Sequence, residues 1–172
     1  HPLAIELQPL LTQPVINNLF RSMLHAADRD LQLQSIPTIS DWHAHCDQWG
    51  ESLIELLVLA SNGNSSDYQG IAGLGRYIEV LHRISSLPKT KAEFHHPLPR
   101  TEQLQDLVAP ARDRATTLLN NTRATPALTS ALCMAAQTRA LDKKLLKHQY
   151  RIYEKDIDLL PITRFWHAWQ ST

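Results

Sequence analysis

Asp47, Glu51 and Glu55 recur at every fourth position, so on a helix their carboxylates stack along one face. Stacked oxygen ligands of this kind can hold Mg²⁺, a hard cation. Without a cation the like charges repel, and the alternative is a solvated helix face. Glu55 stands apart in Leu53-Ile54-Glu55-Leu56-Leu57, apolar on all sides, which points to a cavity or a partner. His43, His45 and Cys46 form a second cluster. Residues two apart diverge on a helix, so His43 and His45 cannot share an ion, and His43 with Cys46 lacks an evident third ligand. His95-His96, in a proline-rich stretch, is no stronger. Gly73-Leu74-Gly75 has neither the third glycine nor the preceding strand of a nucleotide-phosphate loop. Arg139, Lys143, Lys147 and Arg151 make a basic stripe. It suits phosphates, an anionic membrane surface or an acidic partner, or is a solvated face. Phe165, Trp166 and Trp169 suit a core or a docking surface, with membrane-interface anchoring as the other reading.

The elements that must position these groups are helices. The chain has 172 residues, 43% hydrophobic and 20% charged, enough for one domain with a core and unlike a disordered tail. All five glycines fall between Gly50 and Gly75, whereas an all-β chain needs glycine turns throughout. Apolar spacing predicts helices over 14–30, 39–60, 67–86, 102–121, 126–139, 141–155 and 162–170, with another after Pro2 carrying Leu3, Leu7, Leu10 and Leu11. Ser66 is the expected cap of the 67–86 helix, and 87–100 the expected loop. Trp49 and Leu53 sit at the centre of the apolar stripe of 39–60. Gly70, Ala72, Gly73 and Gly75 weaken the following helix. Such a stretch calls for a close helix crossing or for backbone near a ligand, the crossing being the simpler. The expected fold is a single all-α domain of about six to eight helices.

Seventeen Lys+Arg balance seventeen Asp+Glu, which argues against a general nucleic-acid binder. Cys46 and Cys133 make no disulfide framework, and a reducing compartment is the simplest reading. No apolar run approaches the roughly 20 residues of a membrane span. The chain starts at His1 without Met, so the lack of a visible targeting segment carries no weight.

Several motifs in order along the chain resemble the squalene/phytoene synthase family, all-helical enzymes that join two prenyl diphosphates head to head. His1-Pro2-Leu3-Ala4 is similar to the family's HP-hydrophobic-A helix. Met23-Leu24 through Asp30-Leu31 resembles its ML…DL segment. His45-Cys46-Asp47-Gln48-Trp49-Gly50-Glu51-Ser52 stands where the family has Y-C-x-x-V-A-G. Gly73 to Arg83 resembles the G…I-L-R-D helix, and Leu98-Pro99 the L-P after it. The resemblance implies an isoprenoid-synthase-like bundle lacking its N-terminal helices, and covers roughly the later two-thirds of a family domain.

The departures shape the functional expectation. Family members hold Mg²⁺-diphosphate on two D-x-x-x-D motifs. The first would precede His1. The second should start after Arg83, where Ile84 and then Pro88 stand, and neither coordinates a cation. The signature tyrosine is His45, and the small A-G pair is Gly50-Glu51. Together with Leu159-Leu160-Pro161 ahead of a tryptophan-bearing C-terminal helix, this looks most like the family's non-catalytic branch, which includes a mitochondrial assembly factor for respiratory complex I. The resemblance therefore implies no catalytic residue and no cofactor. It places His45, Glu55, Gly73, Tyr77 and Arg83 as ligand or partner contacts. The implied partners are other proteins, respiratory-complex subunits or assembly factors among them, with an isoprenoid or lipid in a helical cavity. Nucleic acid is not expected, and membrane contact at most peripheral. The implied location is the matrix side of the mitochondrial inner membrane, or a bacterial cytoplasm. The alternative is an active Mg²⁺-dependent head-to-head prenyltransferase using Asp47, Glu51 and Glu55 as its metal ligands.

Overall fold

A computed structural model describes residues 12–32, 39–90, 101–154 and 157. The expected helices after Pro2 and over 162–170, the His95-His96 pair and the Leu159-Leu160-Pro161 segment lie outside them, as do Phe165, Trp166 and Trp169. The described residues form helices and no strand, so the fold is all-α. They are α1 (Pro14–Gln32), α2 (Ile39–Ala60), the short α3 (Ser65–Gln69), α4 (Gly73–Thr90) and α5 (Thr101–Asn121). A 3₁₀ turn, Pro126–Leu128, leads into α6 (Thr129–Lys147). No helix among them is long and apolar enough to cross a membrane.

The bundle is organised around α4, which packs against α2, α5 and α6, while α1 packs on the other side of α2. Leu74, Tyr77, Ile78, Val80, Leu81, Ile84 and Leu87 bury its length. The α2–α4 crossing is set by two glycines. A Cβ on Gly50 would fall inside the Gly75 carbonyl, and a Cβ on Gly75 inside that of Gly50. The glycine-rich stretch is therefore a backbone-to-backbone crossing, the simpler of its two readings.

That crossing also decides which face of α2 is inside. Cys46, Gly50, Ile54 and Val58 form the buried line, and Trp49 and Leu53 are only half-buried. The bulkiest stripe is not the innermost, because the closest approach needs the residue without a side chain. On α1, Ile16 and Ala26 are buried, whereas Leu24 is 67% exposed.

Three boundaries differ from expectation. The 67–86 helix is two helices: Asn64, not Ser66, caps α3, with its side chain accepting from the Ser66 and Asp67 amides and the Asp67 carboxylate accepting from the Asn64 amide. Gly70, Ile71 and Ala72 form the break, where the glycine-rich sequence has least helical preference. α4 runs past the expected loop start to Thr90, its last turns anchored by buried Leu87. The segments 126–139 and 141–155 merge into α6, since nothing near Ala140 breaks a helix. α6 instead ends where Gln149 and Tyr150 take left-handed backbone, φ 51 and 55. Two such non-glycine residues in succession carry strain of about 1 kcal/mol or more each. Burial of Tyr150 offsets it.

Candidate functional site

The carboxylate ladder lies on α2 beside the α3–α4 junction, and its members meet different surroundings. Both oxygens of Asp47 are taken by Arg76 of α4, whose Nε and Nη2 grip them as a fork. The hydrogen bond to Asp47 raises the Arg76 pKa above its ordinary value, against desolvation. One turn on, Glu51 is pushed above the usual carboxylate range, first by burial and then by Asp47, with Arg114 and Arg76 opposing. Glu55, another turn on, is raised by burial alone. Among the described residues neither Glu51 nor Glu55 makes an ion pair or hydrogen bond. Tyr68 of α3 faces both, and burial followed by the two carboxylates lifts its pKa to about 12. Arg114 of α5 lies across Gly73, with Nε 2.6 Å from where a Cβ there would sit.

A second cluster joins two residues that the resemblance singled out. His45 is buried at 3% exposure, and its Nε2 accepts a hydrogen bond from Nη2 of Arg83. Arginine only donates, so the His45 ring carries its proton on Nδ1. Arg83 Nε also donates to Glu79 Oε1 at 2.6 Å, one turn back on α4. Glu79 is 4% exposed, a buried carboxylate balanced by the guanidinium that binds His45.

The deepest polar feature involves Tyr77, which turns inward. Its hydroxyl donates to Asp142 Oδ2 of α6 at 3.0 Å. Arg112 of α5 donates Nε to the same oxygen at 2.6 Å and Nη2 to Oδ1 at 2.9 Å. The Tyr150 hydroxyl donates to Oδ1 at 2.6 Å and accepts from Arg112 Nη2 at 2.7 Å. Four donors fill the capacity of one carboxylate that is 2% exposed. The knot ties α4, α5, α6 and the turn after it. Burial, then Asp142, pushes the Tyr77 phenol far above its usual range. For Tyr150 the order is burial, then the hydrogen bond to Asp142.

The structure thus brings His45 to Arg83, and sets Glu55 and Gly73 at the α3–α4 junction, while Tyr77 is committed to the core. Glu79, Arg112, Asp142 and Tyr150 were not anticipated. The available signal was register: Asp142 falls among Ala131, Ala135 and Leu145, the buried line of α6. A charge in an apolar register requires a buried partner. His43 and His45 do diverge. His43 stacks edge-on against Trp42, its Nδ1 buried with no hydrogen-bond partner among the described residues, its pKa lowered by burial and then by Arg76.

Asp47 is occupied by Arg76, and no group of three or more His, Cys, Asp or Glu among the described residues is placed to hold a metal. No protein-family model, curated protein or solved structure matches this chain.

Proposed function

We propose that this chain is a non-catalytic, squalene/phytoene-synthase-like helical protein that works by binding other proteins, in assembly or as a subunit of a respiratory complex such as complex I. The observation that carries the reading is internal neutralisation. Asp47 is gripped by Arg76 and Asp142 by Arg112, each across two helices, and Glu79 by Arg83 within α4, so these carboxylates are spent on internal ion pairs. Diphosphate departure needs cations to take up the developing charge, and those cations need free carboxylates. The motif position after Arg83 agrees with this: Ile84 is fully buried in the apolar core. Membership of a mitochondrial complex rests on the resemblance.

Protein including whatever precedes His1 is expected to give no condensation product from farnesyl or geranylgeranyl diphosphate with Mg²⁺. Loss of the protein from its cell should lower assembled respiratory complex I, with rescue by a Glu51→Gln chain. Mg²⁺-dependent product that disappears in Glu51→Gln and Glu55→Gln variants would overturn the non-catalytic reading. It would move the function to head-to-head prenyl transfer through the two carboxylates that lack a cation.

A further inference from the structure

α6 carries a single acid, Asp142, and it is turned inward and held by Arg112. The charges left on the outside of the helix are all positive. Arg139, Lys143 and Lys147 are exposed at every fourth position, and none makes an ion pair among the described residues. At 1.5 Å rise per residue they form a row about 12 Å long. Leu146 sits beside the row, three residues after Lys143, and is 41% exposed. Arg151 extends the row past the helix end but has Glu154 Oε2 at 3.8 Å. A favourable interaction with the helix C-terminus accounts for Lys144 and Lys147 in the last turn. It does not reach Arg139 or Lys143, because that effect fades within one turn. The chain as a whole has zero formal charge, so any attraction exerted by this face is local to it.

We propose that this face of α6 docks peripherally on an anionic lipid surface, with Arg139, Lys143 and Lys147 over headgroup phosphates and Leu146 entering the layer beneath. The apolar face of α6 is buried in the core, so attraction to anionic headgroups comes from the row of cations, with Leu146 the exposed large apolar side chain of the helix beside it. A bilayer offers phosphate at every register along a straight row and an apolar layer under it. An acidic protein would have to match both the cation spacing and a pocket for Leu146. The proposal does not rest on the reading of the interior given above.

The test is co-sedimentation of the full chain with vesicles. Binding is expected to phosphatidylcholine vesicles containing phosphatidylglycerol, and not to phosphatidylcholine alone. It should be lost at about 1 M salt, where screening shortens to about 3 Å. Each cation replaced by glutamine should weaken binding about five-fold, and all three together about a hundredfold. Leu146→Ser should weaken binding further without changing its salt dependence. The thermal midpoint of the triple variant should fall by no more than a few degrees, the loss of Lys147 from the helix C-terminus, since all three side chains are exposed. Failure to bind anionic vesicles at low salt, or binding indifferent to the triple change, overturns the proposal. Capture of polyglutamate by a chain that ignores the vesicles also overturns it, in favour of an acidic protein.

Discussion

Asp142 and the Glu51–Glu55 pair are both acidic, and burial treats them in opposite ways. Asp142 is almost inaccessible, yet four hydrogen bonds satisfy it, two from the Arg112 guanidinium and two from tyrosine hydroxyls. Glu51 and Glu55 are only partly buried, yet they make no ion pair among the described residues, and desolvation pushes both toward the protonated form. Depth therefore does not mark the group with unspent chemistry. What marks it is whether lost water has been replaced by partners. By that measure the knot is structural, and the lower ladder is the part of the interior still able to meet something else.

The largest effect should come from breaking the satisfied side of this contrast. Asp142→Ala removes the acceptor of two tyrosine hydroxyls and strands the Arg112 guanidinium, and should lower stability by about 3–5 kcal/mol in denaturant titration. Tyr77→Phe removes one bond of the knot and should cost about 1 kcal/mol. An Asp142→Ala chain with an unchanged midpoint would show that the four segments are held by apolar packing alone.

Next in size is the crossing that presents the ladder. Gly50→Ala drives a Cβ into the Gly75 carbonyl, and the two helices must part. Overpacking of this kind costs about 1–3 kcal/mol, sometimes more. Gly70→Ala is the matched control. Its nearest atom would be the Asp67 carbonyl at 3.7 Å, and its backbone is ordinary right-handed helix. It should stabilise by about 0.4–1 kcal/mol, through the unfolded state. Equal gains at Gly50 and Gly70 would mean that helix propensity alone, and no close contact, governs both positions.

The two regions were unequally legible in the sequence. α2 could be bounded, and its crossing anticipated, because glycine scarcity makes each glycine informative and periodicity is local. The ladder's spacing was visible too, but not Asp47's commitment to Arg76, which lies 29 residues away. The knot was hidden for the same reason. Tyr77 and Asp142 are 65 residues apart and Arg112 and Asp142 are 30 apart, so only tertiary packing joins them. Bulk misled the reading of α2, where Trp49 and Leu53 outweighed Gly50 on paper. In three dimensions, the residue with no side chain governs the approach.

The smallest expected effect tests the unsatisfied side of the contrast, and its sign is opposite. The folded Glu51 carboxyl holds its proton above the ordinary value of 4.5, chiefly because burial disfavours the charge. Over the range just above that value the unfolded chain releases a proton that the folded chain keeps. Ionisation therefore destabilises the fold, and stability declines as pH rises through the window from the unfolded to the raised folded pKa. Glu51→Gln removes the titration while keeping the shape. The variant should match the parent below the window and exceed it above, by less than about 1 kcal/mol because water still screens the group. Glu55→Gln should behave alike, with burial as its sole cause. Arg114 and Arg76 reduce the penalty at Glu51, so adding Arg114→Gln to the parent should enlarge the benefit of Glu51→Gln. The check is the difference in denaturation midpoint between parent and variant, followed from acid to neutral pH. A difference that stays flat across that range would mean that both carboxylates are fully hydrated, and that the ladder is an ordinary surface face.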